Sequence, residues 1–274
     1  MPLRIGAVSY LNTKPLVYGL AESAAGAEIV FDLPSRLADQ LAEGSLDVAL
    51  IPSVEFFQNP TYRIVSDACI GCRGAVLSVN LYSRVPMAQI RTLALDEGSR
   101  TSVALVRILL RERFGIEPHL EPFPIGSDVD QSTADAVLLI GDRAISPQHD
   151  FVEHWDLGDQ WCRFAEAPFV FAMWVARQGV DLGALEDQLG AARDLGVAHL
   201  PEIARREAGA LGLDAAQCLS YLRDNLYFYL GPRERQGLAL FHRHAVALGL
   251  APDGHDLTFS PTAAAGVPLP DSGA

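Results

Sequence analysis

The chain has 274 residues, 49% of them hydrophobic and 20% charged, enough for one large domain or two lobes with their own cores and too apolar for a disordered protein. Lys+Arg 21 against Asp+Glu 34 leaves a net charge of −13, which repels the phosphates of nucleic acids and anionic membrane surfaces alike. No apolar run is long enough to span a bilayer and the first residues read as a core strand instead of a leader, so the chain is expected to be cytoplasmic.

Residues 3–9 read as a core strand that runs into the polar turn Ser9-Tyr10-Leu11-Asn12-Thr13-Lys14-Pro15-Leu16. Ser9, Asn12 and Thr13 are residue types that bond the free N–H groups of a helix start, and Pro15 suits a first helical turn. A strand running into a capped helix sets backbone donors and the positive helix end at the strand's carboxyl edge, which is a site for an anion or simply an ordinary strand-to-helix turn. A short helix is expected over 15–24 and a strand over 28–33. A helix over 36–43, capped by Ser35 and closed by Gly44, then precedes the apolar strand 47–51, which ends at Pro52-Ser53. A helical turn over 54–58 and strands over 62–69 and 74–83 complete the first unit. Continuous apolar strands alternating with amphipathic helices predict parallel strands covered on both faces.

Arg84-Val85-Pro86 breaks this pattern and a second unit begins. It has a strand over 92–96, the turn Gly98-Ser99-Arg100-Thr101-Ser102, a helix over 103–114 ended by Gly115, and a strand over 119–123. After a stretch rich in Pro, Gly and Asp comes a buried strand over 134–140, ending at Gly141-Asp142. The two units echo each other in architecture. A strong strand over 168–176 follows, then helices over 182–195, 201–208, 214–226 and 232–248. The expected organisation is an α/β fold with two lobes: 1–85 with 176–250, 86–175, and a largely unstructured tail at 251–274. Two crossings, near 83–86 and 171–177, would form a hinge with a cleft between the lobes, similar to the plan of type II periplasmic binding proteins.

Four cysteines, Cys69, Cys72, Cys162 and Cys218, include one Cys-x-x-Cys pair. A zinc site needs a second pair or a histidine pair at ligand spacing, so no metal is expected and the thiols suit a reducing compartment. The sequence holds no G-x-S-x-G elbow, Walker A, G-x-G-x-x-G or H-E-x-x-H motif. His242 and His244 are expected on the surface, and His119, His149, His154 and His199 read as structural. What remains is a set of short polar donors at strand-to-helix turns: Ser9, Asn12, Ser53, Ser99, Thr101 and Ser102. In open α/β sheets such turns at the strands' carboxyl ends hold ligands. Hydroxyls and amides there suit carboxylates and hydroxyl groups, and the same residues also serve as plain helix caps. Arg100 either pairs with a ligand carboxylate or faces solvent.

Several of these segments, in this order, resemble the chorismate dehydratase family of the futalosine route to menaquinone. They are the opening Arg4-Ile5-Gly6 with 9–16, Asp47-Val48-Ala49-Leu50-Ile51-Pro52-Ser53, Gly74-Ala75-Val76-Leu77-Ser78, Ser99-Arg100-Thr101-Ser102, Ala136-Val137-Leu138-Leu139-Ile140-Gly141-Asp142, Asp156-Leu157-Gly158 and Pro168-Phe169-Val170-Phe171-Ala172. The resemblance implies a periplasmic-binding-protein type II fold used as an enzyme without cofactor. Its substrate would be a small dianion, chorismate, converted to 3-(1-carboxyvinyloxy)benzoate with loss of water. By the family's pattern Asn12 and Ser78 sit at the ring and its leaving hydroxyl, while Ser53, Thr101 and Ser102 hold carboxylates. Ser9, Ser99, Arg100, Gly141 and Asp142 join them in the substrate-binding set. A carboxylate of the substrate itself, or else Asp142, would take the proton, with a structural role as the other reading of Asp142. A sister family that makes 1,4-dihydroxy-6-naphthoate carries a catalytic His where Gly141-Asp142 stands here, which argues for the dehydratase. A small-anion binding protein without enzymatic activity is the alternative from another class.

Overall fold

The computed structural model describes residues 2–145, 150–254 and 257. The apolar runs of the first unit become β1 (Arg4–Val8), β2 (Glu28–Asp32), β3 (Val48–Pro52) and β4 (Arg63–Cys72). β1 lies between β2 and β3, parallel to both. Every residue of β3 is buried, as a continuous apolar run in the middle of a covered sheet requires. Between the strands stand α1 (Leu20–Ser23), α2 (Pro34–Glu43) and α3 (Ser53–Gln58). Leu37, Ala38 and Leu41 bury one face of α2. Gly44 ends it at φ 82°, its N–H returned to the last turn. Ser35 is not its cap: Pro34 takes the first helical turn and the Ser35 N–H donates to Gly98 O at 3.3 Å, in the second unit. The start of the first helix also differs, with a tight 3-10 stretch over Leu11–Val17 ahead of α1.

The second unit contains β5 (Val79–Ser83), β6 (Thr92–Asp96), α4 (Arg100–Phe114), β7 (His119–Phe123), β8 (Ala136–Ile140), β9 (Glu153–Asp156) and α5 (Leu157–Ala165). The chain then runs through β10 (Phe169–Ala176), α6 (Leu185–Ala198), α7 (Leu200–Leu211), α8 (Ala215–Ser220), β11 (Tyr227–Tyr229) and α9 (Pro232–Ala247). One sheet has the order β11-β4-β10-β3-β1-β2 and the other β7-β6-β8-β5-β9. The predicted echo is present, because β6 lies between parallel β7 and β8 as β1 does between β2 and β3. Neither sheet is wholly parallel: β10 runs antiparallel to β3 and β4, and β5 antiparallel to β8 and β9.

Sheet membership moves both crossings earlier than 83–86 and 171–177. The chain leaves the first sheet after Cys72 and joins the second at Val79, and β10 is back in the first sheet from Phe169. The break at Arg84-Val85-Pro86 is only the turn after β5, held by Ser83 Oγ on Val85 O and the Arg84 N–H on Asp135 O. At the return crossing Trp161 of α5 packs on Phe169 and Phe241 and donates its indole N–H to Pro168 O at 3.2 Å. His242 is buried here, against the expected surface position. Its ring lies on Phe57 and its Nε2 is 2.9 Å from Pro252 O, because the chain after α9 folds back over the helix. His149 and nearly all of the expected tail at 251–274 lie outside the described residues.

α6 packs across the Leu11–Val17 stretch, and Gly196 is where they touch. A Cβ at Gly196 would stand 2.0 Å from Pro15 O, so no larger residue fits without moving one element. Gly209 in α7 has nothing within 4 Å of its Cβ position. Gly196→Ala is therefore expected to destabilise the protein by about 1–3 kcal/mol through overpacking. Gly209→Ala is expected to be neutral or to stabilise by about 0.5–1 kcal/mol through helix propensity. Equilibrium denaturant unfolding of the two variants beside the parent chain checks both signs.

Candidate functional site

The carboxyl ends of β1, β3, β6 and β8 converge between the two sheets on a narrow cleft, partly open to solvent. Tyr10 and Asn12 enter it from the turn after β1, and Pro52 from the end of β3. Ser99, Thr101 and Ser102 come from the start of α4, and Ile140 and Gly141 from the end of β8. Val76 and Ser78 of the first crossing and Phe171 and Ala172 of β10 also line it.

Ser78 is the most firmly placed of these. Its N–H donates to Val76 O at 2.8 Å across Leu77, whose φ is 60°. A bulky residue in the left-handed region costs on the order of 1–3 kcal/mol and persists only where surroundings fix it. Here Asp156 fixes it: its carboxylate accepts the Val76 N–H at 3.0 Å and the Leu77 N–H at 2.7 Å, and also the Asp159 N–H, capping α5. Asn80 Nδ2 donates to Leu77 O at 2.6 Å and to Ala144 O at 2.8 Å. Behind Asn80, His154 Nε2 lies 3.0 Å from its Oδ1, and burial lowers the imidazole's pKa. Ser78 O accepts the Gly141 N–H at 2.9 Å, and Ser78 Oγ accepts from the Tyr221 hydroxyl at 2.9 Å. The Tyr221 phenol also bonds the side chain of Asn12, and burial pushes its pKa up.

The start of α4 is a capped helix end at the cleft wall. Ser99 caps it, its Oγ accepting the Ser102 N–H at 3.2 Å, and the helix end sets a positive field toward the cleft. Ser53 is fully buried just behind Thr101, with its Oγ donating to Val170 O at 2.8 Å and 3.4 Å from Thr101 Oγ1. Thr101 Oγ1 accepts the Val54 N–H at 3.2 Å, joining the two lobes. The buried Asp96 carboxylate organises the same edge, accepting the N–H groups of Gly98 and Ile140 and pairing with Arg143.

The structure thus brings Asn12, Ser78, Ser99, Thr101, Ser102 and Gly141 together and leaves four expected site residues outside the lining, Ser53 behind Thr101 and three others. Ser9 is exposed to solvent beyond the end of β1. Arg100 points to the other side of α4, where Asp39 at 2.8 Å and Glu55 at 3.1 Å neutralise it. Both oxygens of Asp142 accept the Leu11 N–H, at 3.1 and 3.2 Å, capping the Leu11–Val17 stretch from the opposite lobe, and burial raises its pKa. No carboxylate, imidazole, amine, guanidinium or thiol is among the described lining residues. Tyr10 and Tyr221 are the additions. Tyr10 stands in the opening motif, but nothing in the local sequence around Tyr221 signals a site.

Residues 3–247 match the protein family described as menaquinone biosynthesis. The chain is 32% identical over 268 residues to the chorismate dehydratase of Thermus thermophilus, covering 91% of this chain and 96% of that one. Protein AF1704 of Archaeoglobus fulgidus has a similar structure, with a TM-score of 0.68 at 16% identity over 91% of this chain and 98% of that one. The Candida albicans CA3427 gene product, described as having the generic periplasmic binding protein fold, superposes with a TM-score of 0.57 at 12% identity, over 96% and 99% of the two chains. The fold is therefore the periplasmic-binding-protein-like one expected from the strand pattern.

Gly141 shows how tightly the lobes meet. Its φ of 71° with ψ of −160° belongs almost wholly to glycine. A Cβ there would lie 2.8 Å from the Tyr10 ring, across the cleft. Gly141→Ala is expected to cost about 2–4 kcal/mol, from backbone strain and from displacing Tyr10 together. Tyr10→Ala removes the second part only. The double variant should then lose less stability than the sum of the singles, which a denaturant-unfolding cycle measures.

Proposed function

We propose that this chain, which belongs to the menaquinone biosynthesis family, is a chorismate dehydratase. It is a carbon–oxygen lyase that converts chorismate to 3-(1-carboxyvinyloxy)benzoate and water. The ring carbon bearing the enolpyruvyl ether loses its proton and the neighbouring carbon loses its hydroxyl. The electron pair of the broken C–H bond enters the ring, and that of the broken C–O bond leaves with oxygen. The abstracted proton is returned to that oxygen, giving water. Formation of the aromatic ring drives the reaction, so the protein mainly has to position the dianion and steady its charge.

The observation that carries this reading is the lack of a base among the described cleft-lining side chains. Such a cleft suits a substrate that supplies its own proton acceptor, a carboxylate. Asp142 is spent on the Leu11 N–H and is the poorer candidate. Thr101, Ser102 and the positive end of α4 hold a substrate carboxylate, with Ser53 bracing Thr101 from behind. Asn12 and Ser78 face the ring and its leaving hydroxyl. All four cysteines are free thiols and no helix among the described residues is long and apolar enough to cross a membrane, which supports a place in the reducing cytoplasm.

The test is to mix purified protein with chorismate and follow loss of the substrate with the mass of the product. The reading requires a product lighter by one water, and unchanged chorismate sinks it. Two Asn12 variants probe the chemistry. Asn12→Ala should lower kcat by roughly 10²-fold with a smaller change in KM, as for a donor that acts mainly in the transition state. Asn12→Asp sets a negative charge beside a dianion and should raise KM as well. Thr101→Ala should weaken binding by about 1–3 kcal/mol, the loss of a hydrogen bond to a charged group, which steady-state kinetics reads as a raised KM.

A further inference from the structure

Tyr221 touches both side chains that face the leaving hydroxyl, yet it does not line the cleft. Its side chain is fully buried, 1% exposed, and a buried phenol must find partners. Here its partners are Ser78 and Asn12. The direction of these bonds follows from counting donors. The Tyr221 hydroxyl has one proton and gives it to Ser78 Oγ. The Ser78 hydroxyl, with its own single proton, is then left to donate elsewhere. The Ser78 backbone is already satisfied by Val76 and Gly141, so the open direction is the cleft that Ser78 lines. On the other side, with the Tyr221 proton spent on Ser78, Asn12 can meet the Tyr221 oxygen only through its amide N–H groups, while its Oδ1 accepts from Thr13 Oγ1 at 3.3 Å.

We propose that Tyr221 is a positioning residue, which aims the Ser78 hydroxyl proton at the leaving oxygen of the substrate by occupying the Ser78 acceptor side. The result is a one-way chain: Asn12 N–H to Tyr221 O–H to Ser78 O–H to the cleft. Each bond polarises the next, so Ser78 is a stronger donor than an isolated serine. Burial keeps the phenol protonated at neutral pH, so Tyr221 takes no proton from the substrate. Its backbone supports the same assignment. Tyr221–Asn225 winds as a π-helix, a rare widening that recurs at functional sites. Asn225, at the far end of that stretch, donates from Nδ2 to Ala75 O at 3.0 Å. Tyr221 and Asn225 therefore pin the crossing at both ends of the segment that presents Ser78.

This inference rests on the dehydratase reading, and the experiment separates the two. Turnover of chorismate by the parent chain tests the reading. Tyr221→Phe, Ser78→Ala and the double variant test the inference. Tyr221→Phe should lower kcat by roughly tenfold with KM within about twofold, since only donation in the transition state is lost. Ser78→Ala/Tyr221→Phe should be no slower than Ser78→Ala alone, because without the serine hydroxyl the phenol has nothing to aim. If Tyr221→Phe keeps the parent kcat, or if the two losses multiply in the double variant, the assignment is overturned. Thr13→Val decides the matter should Tyr221→Phe not fold. It frees Asn12 to turn over, and should lower kcat while leaving KM unchanged. An unchanged kcat in that variant overturns the assignment too.

Discussion

One carboxylate carries much of the site. Asp156 accepts two successive backbone N–H groups of the crossing, and without them the left-handed Leu77 would relax to an ordinary conformation. Ser78 follows Leu77 directly, so a change at Leu77 swings the Ser78 side chain. The same carboxylate caps α5, which ties the crossing to the helix whose Trp161 anchors the return crossing. Asn80 holds the turn from the other side. It spends its amide N–H groups on two carbonyls, so its oxygen must accept and His154 Nε2 must carry the proton. A neutral imidazole is what burial favours there. His154 thus supports the turn from a distance and needs no part in proton transfer.

The lobes are joined by bonds that each use a group the cleft would otherwise leave open. Leu11 N–H goes to Asp142, Ser35 N–H to Gly98 O and Val54 N–H to Thr101. Arg100 bridges Asp39 and Glu55 on the far side of α4. Charged side chains thereby work at the rim and behind the wall, and the described lining stays neutral. In a dehydratase this has a chemical consequence. A substrate carboxylate paired with arginine would lose basicity, because the opposite charge favours its ionised form. Hydroxyls and a helix end would hold the dianion with less of that penalty, and would leave a carboxylate able to accept a proton.

Much of this was legible in the sequence because local chemistry and tertiary role coincide. β1, β3, β6 and β8 are apolar runs ending in polar turns, and such runs name both the buried strand and its ligand-facing end. Ser99 caps α4 as its position before the helix predicts, and Gly44 and Gly115 end α2 and α4 in the left-handed conformation. The errors arise where a residue's partner is distant in sequence. Arg100 sits in a polar turn, yet Asp39 and Glu55 reach it from the other lobe. Asp142 follows a strand like a ligand-binding residue, yet the Leu11 N–H claims it. The first crossing is expected at the most visible break, Arg84-Val85-Pro86, because proline signals a turn but not which sheet a strand joins. β9 and α5 have no clear sequence signal although Leu157 and Trp161 stand four apart on one buried face, because the polar residues between them hide the period.

Tyr221 is the clearest case of what local patterns cannot carry. Its importance comes from a residue 143 positions away, brought to it by the return of the chain to the first sheet. The topology explains why the two meet. β4 ends at the first crossing, and β11 pairs with that end of β4, Tyr227 opposite Gly71. The helical turn just before β11 is therefore carried to the mouth of the crossing, where Ser78 emerges. A side chain pointing inward from that turn arrives behind Ser78 and beside Asn12, on the side away from the substrate. The strand order that closes the first sheet thus also supplies the third member of the hydrogen-bond chain, and the widened helix adjusts the angle at which it arrives.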